Sequence, residues 1–130
     1  MCCEQAMARI LIFEDNEMNR DVLQRRLVRH GFEVAVAVDG PTGLAMAAAQ
    51  VPDLVLMDLG LPGMDGLEAT RSLKRNPATA QIPVIALTAH AMESDRHAAF
   101  AAGCVAFDSK PIDLARLLAI IQSVLAARSP

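Results

Sequence analysis

The sequence predicts an α/β fold, an open parallel sheet wound on both faces by helices. Three observations predict it. Short apolar runs alternate five times with longer segments of helical period, the pattern of successive βα units. The first run, residues 9–13, shows no polar alternation, as expected of a strand covered on both faces. Glycine and proline punctuate the joins between runs. A chain of 130 residues suits one domain and is long enough to bury a core without disulfide or metal staples.

Each element has its own justification. Residues 9–13 read as the first strand. Asn16 is placed to cap a helix running to about His30, which Gly31 stops. Glu33 to Val38 alternates valine with alanine and reads as the second strand, flanked by Gly31 and Gly40. A helix from about Pro41 to Gln50 follows, with proline in its first turn, and Val51-Pro52 ends it. Asp53 to Met57 forms the third strand. The stretch Asp58-Leu59-Gly60-Leu61-Pro62-Gly63-Met64-Asp65-Gly66 holds three glycines and a proline, which makes it a shaped loop. A helix of about Leu67 to Arg75 is broken by Asn76-Pro77. Ile82 to Leu87 is the fourth strand, with Pro83 near its start, where proline is tolerated.

Ala91 to Ala102 reads as a helix closed by Gly103. Cys104 opens a short fifth strand, Val105 to Phe107, as a small core residue. The last helix carries the stripe Leu114, Leu117, Leu118, Ile121, Val124 and Leu125, a core-facing pattern. Residues 1–7 are expected to be disordered and residues 8–127 to form the domain, with no room for a second one.

Composition excludes several functions. A formal charge of −3 gives no basic surface for nucleic acid or membrane lipid. No apolar run approaches a membrane span, and Met1-Cys2-Cys3-Glu4 does not begin a signal peptide, so the expected location is the cytoplasm. The cysteines, Cys2, Cys3 and Cys104, form no CxxC and no zinc-like spacing. Cys2-Cys3 reads as part of a frayed terminus.

Five residues fall where strands hand over to loops: Glu14 with Asp15, Asp58, Thr88 and Lys110. In an open parallel sheet the carboxyl ends of the strands form one edge, and ligands bind there. Three acids, a hydroxyl and an ammonium should therefore meet. Converging acids repel unless a cation joins them, which points to a metal. The lysine and threonine beside them point to an anion, most simply a phosphoryl group.

The stretches Ile12-Phe13-Glu14-Asp15-Asn16, Leu56 to Gly66, Ala86-Leu87-Thr88-Ala89 and Phe107-Asp108-Ser109-Lys110-Pro111 resemble the receiver domain of two-component response regulators. The likeness covers residues 8–126. It is closest to single-domain cell-cycle receivers and to those attached to hybrid histidine kinases. The resemblance implies a flavodoxin-like (βα)5 fold with strand order 2-1-3-4-5, an order known from a bacterial chemotaxis receiver. It implies Asp58 as nucleophile and phosphoacceptor, and Mg²⁺ held by Glu14, Asp15, Asp58 and the carbonyl of Gly60. Asp15 would ligate directly and Glu14 through water. Mg²⁺ favours oxygen ligands, keeps several waters and bridges to phosphate, which suits so few carboxylates. Lys110 would pair with a phosphoryl oxygen, aimed by a cis Lys110–Pro111 bond, and Thr88 would bond the phosphoryl group. Phe107 is either a core residue or, with Thr88, the family's switch pair. His90 reads as structural or solvent-facing. Arg25, Arg26 and Arg29 read as a solvated face, near which the family docks kinases.

The function implied is that of a phosphorelay switch without an output domain. It would be charged by a histidine kinase or histidine phosphotransferase and would act on a downstream protein partner, as a monomer or weak dimer. It would catalyse only its own phosphotransfer and dephosphorylation. The alternative is a Mg²⁺-dependent phosphatase with an aspartate nucleophile. Such an enzyme needs a second acid two residues after the nucleophile, and Gly60 stands there. A flavodoxin-like nucleotide binder would need a glycine-rich cradle after the first strand, where Glu14-Asp15-Asn16 stands instead.

Overall fold

A computed structural model describes residues 8–89 and 92–128. Five strands and five helices alternate along the chain. The strands are β1 (Arg9–Phe13), β2 (Glu33–Ala37), β3 (Leu54–Asp58), β4 (Val84–Thr88) and β5 (Ala106–Ser109). The helices are α1 (Glu17–Arg29), α2 (Gly40–Ala49), α3 (Gly66–Arg75), α4 (Glu93–Ala102) and α5 (Leu114–Arg128). All strand pairs are parallel, in the order β2-β1-β3-β4-β5.

The side-chain period of the strands builds two cores. Leu11, Phe13, Val55, Met57, Val84 and Ala86 face one side, against α2, α3 and α4. Ile10, Ile12, Leu54, Leu56, Ile85 and Leu87 face the other, against α1 and α5. The three central strands are thus buried on both faces. The stripe of α5 supplies fully buried Leu117 and Ile121, with Leu125 beside them. Gly43 lets α2 lie close on β1: a Cβ there would sit 2.1 Å from the Phe13 ring.

Caps locate the helix starts. Asn16 Oδ1 accepts the Asn19 amide at 2.9 Å, Asp39 Oδ1 the Thr42 amide at 2.8 Å and Asp65 Oδ1 the Glu68 amide at 2.8 Å. Asp39 and Asp65 start their helices a residue earlier than the sequence predicts. α1 ends at Gly31, whose φ of 94° needs a glycine, and α4 ends likewise at Gly103 with φ 117°.

Several strand bounds differ from expectation. Val38 lies beyond β2 and is exposed. β3 and β4 run on to include Asp58 and Thr88, because their ladders continue through Asp58–Leu87 and Thr88–Ser109. β5 begins at Ala106, not Val105, and extends to Ser109. Cys104 precedes the strand, buried beside the Thr70 hydroxyl at 3.9 Å. The expected disorder of residues 1–7, with Cys2 and Cys3, lies outside the described residues, as do His90 and Ala91.

Among the described residues, no helix is long and apolar enough to cross a membrane.

Candidate functional site

The carboxyl ends of β1, β3, β4 and β5 bring the five strand-end residues to one edge. Glu14 follows β1, where its amide donates to the Ala37 carbonyl at 3.0 Å. Asp58 and Thr88 are the last residues of β3 and β4, and both are buried. Lys110 follows β5, its amide donating to the Thr88 carbonyl at 2.7 Å. The Lys110–Pro111 bond is cis, as the resemblance implies.

The ammonium of Lys110 stands between two carboxylates, 3.1 Å from Glu14 Oε1 and 3.2 Å from Asp58 Oδ2. Asp58 Oδ1 accepts the Gly60 amide at 3.0 Å, so the loop after β3 closes over the carboxylate. Gly66 permits that closure. A Cβ on it would lie 2.5 Å from the Asp58 carbonyl oxygen and 2.7 Å from Leu59 Cα, both backbone atoms. Glu14 Oε2 accepts the Asn16 amide at 3.2 Å. Glu14 is only 1% exposed, whereas Asp15 beside it faces solvent.

Glu14, Asp15 and Asp58 each offer an oxygen, and these three atoms lie within 4.8 Å of one another. The donors are all hard oxygens, and Lys110 contacts only two of the three carboxylates, a set that fits a hard divalent cation. The electrostatics agree. Burial, together with repulsion from Asp58, raises the pKa of Glu14 above its ordinary value despite the bond from Lys110. For Lys110, burial opposes the charged form, but the bond to Glu14 and the attraction of Asp58 outweigh it, and its pKa lies above the ordinary lysine value.

Phe107 is half-buried on β5, paired in register with Ala86, and packs on the core shared with α2, α3 and α4. Gly60 is exposed, and a Cβ on it would meet only Asp58 Oδ1, at 3.6 Å. Arg25, Arg26 and Arg29 are exposed, and Arg25 pairs with Asp21 one turn away.

Two contributors escape a reading of the sequence. Arg20 Nη1 donates to the carbonyls of Glu14 at 3.3 Å and Asp15 at 2.9 Å, holding the acidic turn. Asp108 is a buried acid on β5 whose partner is Arg116. The one available signal was an acid directly after the apolar run 105–107, since a charge in a covered strand needs a partner.

The family model for the response regulator receiver domain matches residues 10–122, and the chain belongs to that family. Response regulator PleD of Caulobacter vibrioides is 44% identical over 117 residues, 90% of this chain. The chain spans only 26% of the length of PleD. Protein PilH of Pseudomonas aeruginosa is 40% identical over 120 residues, covering 92% of this chain and 99% of PilH. Among solved structures, the receiver domain of a Pseudomonas aeruginosa sensor histidine kinase superposes with a TM-score of 0.86 at 35% identity, covering 92% of this chain and 98% of that one. That structure has a magnesium ion coordinated in its active site cleft.

Proposed function

We propose that this receiver domain is a phosphoacceptor switch, charged on Asp58 in the presence of Mg²⁺ by the phosphohistidine of a histidine kinase or phosphotransferase. The observation that carries the reading is the buried Asp58 carboxylate 3.2 Å from the Lys110 ammonium, inside a cluster of three acids. Asp15, Asp58 and the Gly60 carbonyl would hold the cation, and Glu14 would reach it through water. When bound, the cation supplies positive charge to the phosphoryl oxygens.

The residues of the chain do the rest. A carboxylate oxygen of Asp58 attacks phosphorus. A P–O bond forms, the P–N bond to the donor imidazole breaks, and its electron pair stays on the imidazole nitrogen, which takes a proton. The product is an acyl phosphate on Asp58. Lys110, freed from Asp58, pairs with a phosphoryl oxygen as a compact charge. The Thr88 hydroxyl bonds the same group. Thr88 pairs with Ser109 across the β4–β5 ladder and Phe107 lies two residues before Ser109, which supports a switch carried from Thr88 to Phe107. The altered surface is then presented to a downstream protein. A phosphatase of the haloacid-dehalogenase type is disfavoured by Gly60, which brings no acid to the leaving group.

Incubation with acetyl phosphate and Mg²⁺ followed by intact mass tests the reading. One added phosphoryl group is expected in the native protein and none in Asp58→Asn. Turnover of acetyl phosphate with no labelled protein would favour the phosphatase, and full labelling of Asp58→Asn would remove the assignment.

A further inference from the structure

Asp108 is an acid in a strand that is otherwise neutral, and only 5% of it is exposed. A buried carboxylate is costly unless it is paired. Arg116, in the first turn of α5, provides the charge: its Nε donates to Asp108 Oδ1 at 2.8 Å. The same oxygen accepts the Ser109 amide at 2.9 Å. Asp108 Oδ2 is buried and meets no hydrogen-bond partner among the described residues.

An arginine facing a carboxylate commonly bonds both oxygens with its fork. Here the second arm goes elsewhere. Arg116 Nη2 donates to the carbonyl of Ser109 at 3.3 Å, leaving Oδ2 orphaned. The guanidinium thus grips the backbone directly before Lys110. The backbone of Arg116 is itself tied to the far end of the same loop, since its amide donates to Asp113 Oδ1 at 3.2 Å. The Asp113 bond is the helix cap that any residue at 116 would make, so it fixes the end of segment 109–113 to α5, while the Arg116 side chain holds its start at Ser109, directly before Lys110. An apolar residue at 108 would fill the strand without the desolvation cost, so stability alone gives no reason for this pair.

We propose that Arg116, anchored by buried Asp108, is a positioning residue for phosphoryl transfer at Asp58, holding the loop that aims the Lys110 ammonium. This rests on the reading of the chain as a phosphoacceptor. Arg116 touches neither Asp58 nor the cluster of acids. It acts through the backbone of Ser109 and Lys110, and small displacements of a reacting group are enough to slow a transfer markedly.

The test compares the rate of labelling by acetyl phosphate at saturating Mg²⁺, the affinity for Mg²⁺ and the melting temperature. Arg116→Ala would leave Asp108 buried without a countercharge, so the variant of choice is Asp108→Val with Arg116→Met, which removes both charges. Arg116→Lys is the second variant: it keeps a charge near Asp108 but lacks the planar fork that reaches Ser109 as well. The expected result is labelling slowed about tenfold in the double variant and less in Arg116→Lys. Mg²⁺ affinity should be unchanged, because no candidate ligand lies on β5. In a Lys110→Ala background the same two substitutions should have no further effect on the residual rate, since the path through Lys110 is gone. Native labelling rates in the folded double variant, or an undiminished slowing in the Lys110→Ala background, would overturn the proposal. A native protein that takes no phosphoryl group at all would instead overturn the functional reading beneath it.

Discussion

Lys110 and Glu14 are 96 residues apart in the chain, and their side chains meet at 3.1 Å at the carboxyl edge of the sheet. The contact brings a positive charge to a nearly inaccessible carboxylate. It also places the ammonium at the same acids that would hold a divalent cation, so that one charge serves while the other is absent.

Lys110→Met should destabilise the metal-free protein. Removing one partner of a buried ion pair leaves an uncompensated charge and costs roughly 3–5 kcal/mol. Chemical denaturation in chelator measures this, and Mg²⁺ should recover part of the loss. An equal loss with and without Mg²⁺ would separate the lysine from the metal site.

Asp15→Asn should abolish the stabilisation that Mg²⁺ gives. A ligand that binds only the folded state adds about 2.7 kcal/mol at 100 times its Kd. The native protein should melt higher as Mg²⁺ is added, and Asp15→Asn should not. A rise of the same size in the variant would put the cation elsewhere.

Glu14→Gln should stabilise the metal-free protein in a pH-dependent way. The folded-state pKa of Glu14 is raised, so folding favours its protonated form. Stability is therefore lost as pH rises from the ordinary value of 4.5 through the raised one, and the full penalty applies above it. The variant escapes that loss. Melting in chelator at about pH 4 and about pH 8 should show its advantage growing with pH. An advantage independent of pH would point to packing as the cause.

Gly60→Asn should shorten the life of the acyl phosphate. Hydrolysis needs a water in line behind phosphorus, and a polar side chain beside Asp58 is placed to orient it. The backbone accepts the change: a Cβ at position 60 meets only Asp58 Oδ1, at an ordinary contact distance of 3.6 Å. Dephosphorylation of purified acyl phosphate should be faster than in the native protein. An unchanged or slower rate would remove the argument.

Phosphorylation should alter the face formed by α4, β5 and α5. A pull on Thr88 toward the phosphoryl group acts on β4, which carries β5 and Phe107 beside it. Amide chemical shifts should move along β5 and α5, and Thr88→Ala should lose that response. Changes confined to the loops around Asp58 would count against the coupling.

The parts of this protein that its sequence determined alone are those with local causes. The alternation of βα units follows from side-chain period. Asn16 marks the start of α1, and Gly31 and Gly103 mark helix ends because a positive φ is needed there. The five positions Glu14, Asp15, Asp58, Thr88 and Lys110 could be placed at strand ends, since they follow apolar runs. The tertiary structure decided what depends on partners distant in the chain. Side-chain period within Leu54–Asp58 does not say that it pairs with β1 on one side and β4 on the other; that order was legible only through the family resemblance, and the ladders bear it out. Lys74, near the end of α3, donates to the carbonyls of Ala80 and Ile82 in the following loop. The pairing of Asp108 with Arg116 exists only once β5 and α5 pack together. A charge buried beside a strand is tolerable only where another element brings its counterpart within reach, and that is a property of the packed chain.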